Sequence, residues 1–247
     1  MKTYEVSAVL FDLDGTLVDS AEDLRAALND VLGRLSLRAI EPSEIGAMIG
    51  DGVPKLIERG LAAAGGDPTQ APALVGDFLR VYEANPTQRT RCYPTVRETL
   101  TELRRRQCRL GVVTNKPAVV THKILRDVGL SDLIEVVIGG DTLPQRKPHP
   151  APLREAARQL ALETTDLVMV GDNIHDIDAA HAAGILSIAV TYGYHHRPPS
   201  TFGADCLVDR LDQLLSLIRV STPKGETDRP SISVSSHPAC SAPESLQ

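Results

Sequence analysis

Five short apolar runs, rich in β-branched residues, limit what this chain can fold into more than any other feature. They lie at residues 6–11, 109–114, 135–138, 167–170 and 186–190. Helix-like stretches near residues 119–128, 151–160 and 177–183 separate the later ones. A strand buried on both faces reads as a continuous apolar run, and strands that alternate with helices assemble into a parallel sheet with helices on its faces. The expectation is an α/β fold, a Rossmann-like parallel core flanked by helices.

The first two runs are separated by about ninety residues, whereas a crossover needs only about 10 to 12. An inserted unit is therefore expected. Residues 20–23 (SAED) resemble a capping box that opens an amphipathic helix through residue 35, and 43–48, 53–64 and 71–84 read as further helices broken by Gly and Pro. The predicted division is a core of residues 1–15 and 91–219 and an α-helical cap at 16–90. After Ile218 the composition turns to Ser, Pro, Thr and charge, so residues 220–247 are expected to be a disordered tail.

The balance of 26 basic against 32 acidic residues, a net charge of −6, comes without a basic stripe, and Trp is absent. Nucleic acid is not the expected partner. No apolar run approaches the roughly 18 residues of a membrane span, and no basic segment followed by an apolar run precedes Asp12, so a cytoplasmic protein without a membrane partner is expected. Cys92, Cys108, Cys206 and Cys240 form no C-x-x-C pair, which argues against a zinc knuckle or a disulfide framework.

Four polar clusters follow apolar runs or open helices. Asp12 and Asp14, at i and i+2, turn both carboxylates to one side if extended geometry persists. Thr114 and Asn115 end the second run. Lys147 sits between Arg146 and a proline, and Asp172 ends the fourth run, four residues before Asp176. Each has a plain reading when alone: a solvated turn, a polar loop, a surface lysine, a helix N-cap at Asp176. Together, at the carboxyl ends of parallel strands, they face the crevice where α/β sheets bind ligands.

The order D-x-D, Thr, Lys, G-D-x-x-x-D resembles the haloacid dehalogenase superfamily, with DLDGT at 12–16, Thr114, Lys147, Asp172 and Asp176 matching its motifs and the insertion resembling its helical cap. Longer stretches, FDLDGTLVDSAEDL (11–24), GVVTNKP (111–117), VIGGD (137–141), KPHPAPL (147–153) and TYGY (191–194), are similar to the bacterial phosphoglycolate phosphatases within it. His175 departs from the Asn usual before the second Asp of that motif.

The resemblance implies a magnesium-dependent phosphatase acting on a small-molecule phosphate ester, chiefly 2-phosphoglycolate, through an aspartyl-phosphate. Asp12 is then the nucleophile, and Asp14 protonates the leaving alkoxide and later activates water. Mg²⁺ is held by Asp12, Asp172, Asp176 and the carbonyl of Asp14. Thr114 and Lys147 neutralise developing charge and, with Asn115, bind the phosphoryl group. In the cap, the Gly50 loop and Arg59 suit a second anionic group, although the glycines equally suit helix ends and Lys55 and Arg59 a solvated face. A sugar-phosphate phosphatase such as one for N-acetylmuramic acid 6-phosphate, a phosphomutase, or a non-catalytic phosphate sensor stand as alternatives. A monomer or a homodimer is compatible with all of these.

Overall fold

The computed structural model describes residues 3–221. The first apolar run divides into β1 (Tyr4–Val6) and β2 (Ala8–Phe11) around Ser7. An acid-bearing turn leads to β3 (Val18–Asp19), four helices, α1 (Ala21–Arg34), α2 (Pro42–Ile45), α3 (Val53–Ala64) and α4 (Ala71–Ala84), and β4 (Arg91–Cys92). Strands and helices then alternate: α5 (Val96–Arg105), β5 (Arg109–Val113), α6 (Ala118–Asp127), β6 (Val136–Ile138), α7 (Ala151–Gln159), β7 (Leu167–Gly171), α8 (Ile174–Ala183) and β8 (Leu186–Val190). The last elements are β9 (Cys206–Val208), α9 (Leu214–Leu217) and β10 (Ile218–Val220).

The main sheet has six parallel strands in the order β6-β5-β2-β7-β8-β9. All four residues of β2 are fully buried, as its unbroken apolar sequence requires. Chain order reverses about β2, so the loops leaving β2 and its neighbours diverge and open a crevice. Phe11 is in register with Val112 of β5 and Val170 of β7, which places the ends of the three strands side by side.

The insert leaves and rejoins the core through an antiparallel pair, Val18 opposite Cys92 and Asp19 opposite Arg91. Its helices bury Leu28 and Leu32 of α1, Ile57 and Leu61 of α3, and Phe78 and Tyr82 of α4. The segment expected as one helix at 43–48 is a short α2 followed by a 3₁₀ turn, Gly46–Met48.

The expected capping box at 20–23 does not form. Ser20 makes no side-chain bond to the helix end; its hydroxyl donates to Asp14 Oδ1 at 2.5 Å. Asp23 is buried and accepts from the backbone N–H groups of Arg89 and Thr90 and from the Thr90 hydroxyl, at 2.7 to 3.1 Å. The helix start is satisfied instead by the Tyr194 hydroxyl, which accepts from Ser20 N at 2.8 Å and Ala21 N at 3.0 Å. Buried donors on the returning chain and a carboxylate in the crevice outcompete the helix terminus for these side chains.

Pairing continues past the expected start of the tail. Val220 lies opposite Val6, and Ser221 N donates to Val6 O at 3.0 Å. The remainder of the expected tail, residues 222–247 with Cys240, lies outside the described residues.

Candidate active site

Asp12 directly follows β2, Thr114 follows β5 and Asp172 follows β7, so three adjacent strands present them at one edge of the crevice. A tight turn follows Asp12, in which the Leu13 carbonyl accepts the N–H groups of Thr16, Leu17 and Val18. Gly15 permits it twice over. Its φ is +87°, and a Cβ there would stand 2.2 Å from Asp172 Oδ2.

Lys147 is buried, donates to Val113 O and Asp176 Oδ1, both at 2.6 Å, and pairs with Asp12 Oδ1 at 2.9 Å. Burial disfavours its charge, but Asp12 and Asp176 outweigh burial and hold the ammonium above its usual pKa. Asn115 places this lysine: its amide accepts from Lys147 N and donates to Lys147 O, both at 3.1 Å, and donates to Gly50 O at 3.2 Å. The Asn115 amide is thus committed to backbone, a positioning duty, while the residue also lines the cavity. The Thr114 hydroxyl accepts the Lys116 N–H at 3.3 Å, and the residue lines the cavity.

Asp176 reconciles the two readings of its position. Oδ2 accepts the Asn173 N–H at 3.0 Å and caps α8, while Oδ1 faces Lys147. Asp172 accepts from Thr16 Oγ1 at 3.1 Å and from Tyr194 N at 2.6 Å. Tyr192, from the same TYGY segment, donates its hydroxyl to Thr16 O at 2.9 Å.

Carboxylate oxygens of Asp12, Asp172 and Asp176 lie within 4.8 Å of one another. Burial, opposed by Lys147 and reinforced by Asp176, pushes the Asp12 carboxyl up to about 6. Asp172 is raised well above the usual range by burial and then by the charges of Asp12 and Asp176. Asp12 Oδ1 is buried and receives the ion pair without an aligned hydrogen bond. An all-oxygen donor set with more negative charge than Lys147 neutralises fits a hard divalent cation. The Asp14 side chain is not in this cluster, so its expected place among the metal ligands rests on its backbone carbonyl alone.

Asp14 turns instead toward Lys116, with Oδ2 2.8 Å from Nζ, and toward Ser20. Asp12 and Asp14 line one small cavity that opens to solvent. Gly50, Gly52, Leu56 and Tyr82 supply its cap side, and Thr114, Asn115 and Lys116 its core side. Sequence reasoning missed Ser20, Lys116, Tyr82 and Tyr194; the stretches TNK and TYGY were the available signals.

Arg59 does not line this cavity. Its guanidinium pairs with Asp51 at 2.5 Å and bonds Met48 O at 3.2 Å, and Lys55 pairs with Glu58 at 2.7 Å on the surface. Asp51 also meets His175 and His196. His175 and His196 hold the Asp51 carboxyl well below the usual range, and Asp51 in turn raises His175. The residue that departs from the usual motif thus anchors the cap loop to α8. Gly50, with φ +115°, seats that loop; a Cβ would lie 2.6 Å from Asn173 Nδ2.

Residues 9–190 match the family model described as haloacid dehalogenase-like hydrolase. A phosphoglycolate phosphatase of Cereibacter sphaeroides is 41% identical over 213 residues, covering 85% of this chain and 97% of its own. One from Colwellia psychrerythraea is 40% identical over 221 residues, covering 87% and 98%. The crystal structure of a predicted phosphoglycolate phosphatase from Haemophilus somnus superimposes with a TM-score of 0.79 at 33% identity, covering 85% of this chain and 97% of that one.

Proposed function

Because the chain belongs to the haloacid dehalogenase-like hydrolases, we infer that its cavity hydrolyses a small phosphate monoester, 2-phosphoglycolate, to glycolate and phosphate. It is a phosphoric monoester hydrolase. One observation carries the assignment of roles: Asp12, at the switch point of the sheet, is paired with the buried Lys147 and faces two further carboxylates.

Attack by a carboxylate on a phosphate ester brings like charges together, and unit charges 4 Å apart at an effective dielectric of about 20 repel by roughly 4 kcal/mol. Lys147 offsets part of this at Asp12. Bound by Asp12, Asp172, Asp176 and the Asp14 carbonyl, Mg²⁺ would supply the remaining positive charge at the phosphoryl oxygens. Asp12 attacks phosphorus and becomes the aspartyl-phosphate while the ester oxygen leaves as an alkoxide. The Thr114 hydroxyl donates to a phosphoryl oxygen. Asp14, held at the cavity wall by Ser20 and Lys116, gives the proton to the departing oxygen and then takes one from the water that hydrolyses the intermediate.

The enzyme is read as cytoplasmic and acting on a free metabolite, as a monomer or a homodimer. Among the described residues no helix is long and apolar enough to cross a membrane. The test is magnesium-dependent phosphate release across a panel of 2-phosphoglycolate, sugar phosphates and neutral esters, with Asp12→Asn as blank. Release by 2-phosphoglycolate above the rest, abolished in the blank, is expected; equal release by the blank overturns the assignment.

A further inference from the structure

The reaction so described leaves one buried cation without a task toward substrate. Lys116 Nζ lies 2.8 Å from Asp14 Oδ2 and 4.6 Å from the centroid of the Tyr82 ring, with its side chain only 5% exposed. Burial opposes its charge, and Asp14 outweighs burial and keeps the ammonium above its usual pKa. An ammonium carries three donors, and Asp14 is its ion-pair partner among the described residues.

Tyr82 reaches the same place from α4. Its ring is stacked on Phe78 with centroids 5.7 Å apart, and its buried hydroxyl, beside the Lys116 ammonium, makes no aligned hydrogen bond among the described residues. Burial pushes that hydroxyl up to about 12, so it stays a neutral donor near pH 7. A buried hydroxyl without a partner costs about 1 to 3 kcal/mol, and such groups in native proteins call for an explanation. Both side chains line the cavity that holds Asp12 and Asp14. What the Tyr82 hydroxyl lacks is an acceptor, and the group to which a hydroxyl beside an ammonium donates best is an anionic oxygen.

We propose that Lys116 and the Tyr82 hydroxyl form the seat for the substrate's carboxylate. This deepens the reading of 2-phosphoglycolate as substrate and rests on it. One methylene separates the ester oxygen of that molecule from its carboxyl carbon. With Asp14 at the ester oxygen, the carboxylate must lie close by, and Lys116 is the cation bonded to Asp14. The cap cations expected to do this, Lys55 and Arg59, are engaged elsewhere. Selectivity for an acid-bearing ester is thereby shared between a core loop and a cap helix, and is complete only when the two are together.

The experiment compares kcat and KM for 2-phosphoglycolate and for 2-hydroxyethyl phosphate, a neutral ester of similar size, in the wild type, Tyr82→Phe and Lys116→Met. Tyr82→Phe keeps the stacked ring and removes one oxygen. The ratio of kcat/KM for the acid over the neutral ester is expected to fall about tenfold or more in Tyr82→Phe, mainly through KM, and further in Lys116→Met. A ratio within about threefold of wild type in Tyr82→Phe overturns the seat while leaving the substrate assignment intact. A wild type that hydrolyses both esters equally overturns the substrate assignment and the seat together. If Lys116→Met does not fold, Tyr82→Phe decides alone.

Discussion

Lys147 and Asp176 form a buried ion pair 2.6 Å long that ties the loop before α7 to the first turn of α8. The same ammonium faces Asp12, so one side chain both closes the fold beneath the crevice and compensates the nucleophile.

Replacing Lys147 with Met is expected to cost about 3 to 5 kcal/mol, because a buried pair loses one partner and leaves carboxylates facing one another. Phosphate release should fall by about 100-fold or more. Urea denaturation monitored alongside activity checks both. A variant that unfolds at the wild-type urea concentration would show that the ammonium is not holding the loop and helix together.

Metal and proton should compete at the carboxylate cluster. Asp12 is raised from 3.8 to about 6 in the absence of a cation, so between those values the folded protein binds more protons than the unfolded chain. The stability from this group is fully present below about pH 3.8 and is lost as pH rises through about 6, at most about 3 kcal/mol. Thermal melts in EDTA should therefore fall across that window, and added Mg²⁺ should restore the loss above pH 6. Apparent Mg²⁺ affinity should weaken as pH drops below about 6, measured by calorimetry.

Asp14→Asn removes the proton donor while leaving a side chain of the same shape beside Ser20. Turnover is expected to drop about 10² to 10⁴-fold, with slow formation of the phosphoenzyme and poor hydrolysis of what forms. Acid quench and mass measurement of the trapped aspartyl-phosphate test it. Turnover near that of wild type would remove Asp14 from the role.

Asp23→Ala should destabilise the protein by about 2 to 4 kcal/mol, since Arg89 and Thr90 lose a buried acceptor. The effect is expected in chemical denaturation, with KM disturbed more than kcat because the acids after β2 stay where they are.

The parts that the sequence makes legible are those where local pattern and tertiary role coincide. The runs that became β5, β7 and β8 are buried on both faces, so their apolar character alone marks them, and the acids and threonine at their ends declare the crevice. β9 and β10 escape because each is three residues long and partly exposed, Leu207 being 42% exposed. Ser20 and Asp23 mislead for a different reason: a capping pattern is local, while their partners, Asp14 and Arg89 to Thr90, are fixed by chain return. Lys116 and Tyr82 are 34 residues apart in a different order of elements, and no spacing rule brings a helix of the insert over the end of a core strand. Arg59 shows the converse, a cation in a suitable sequence position whose charge is claimed by Asp51.

The two-residue ribbon of β3 and β4 has an evolutionary corollary. Entry and exit of the insert stand one strand-width apart, so the polypeptide between them can lengthen, shorten or be exchanged for another without requiring β2 or β5 to shift. The cap's share of selectivity can thereby be rewritten while the phosphoryl chemistry and the core's share, at Lys116, are inherited unchanged.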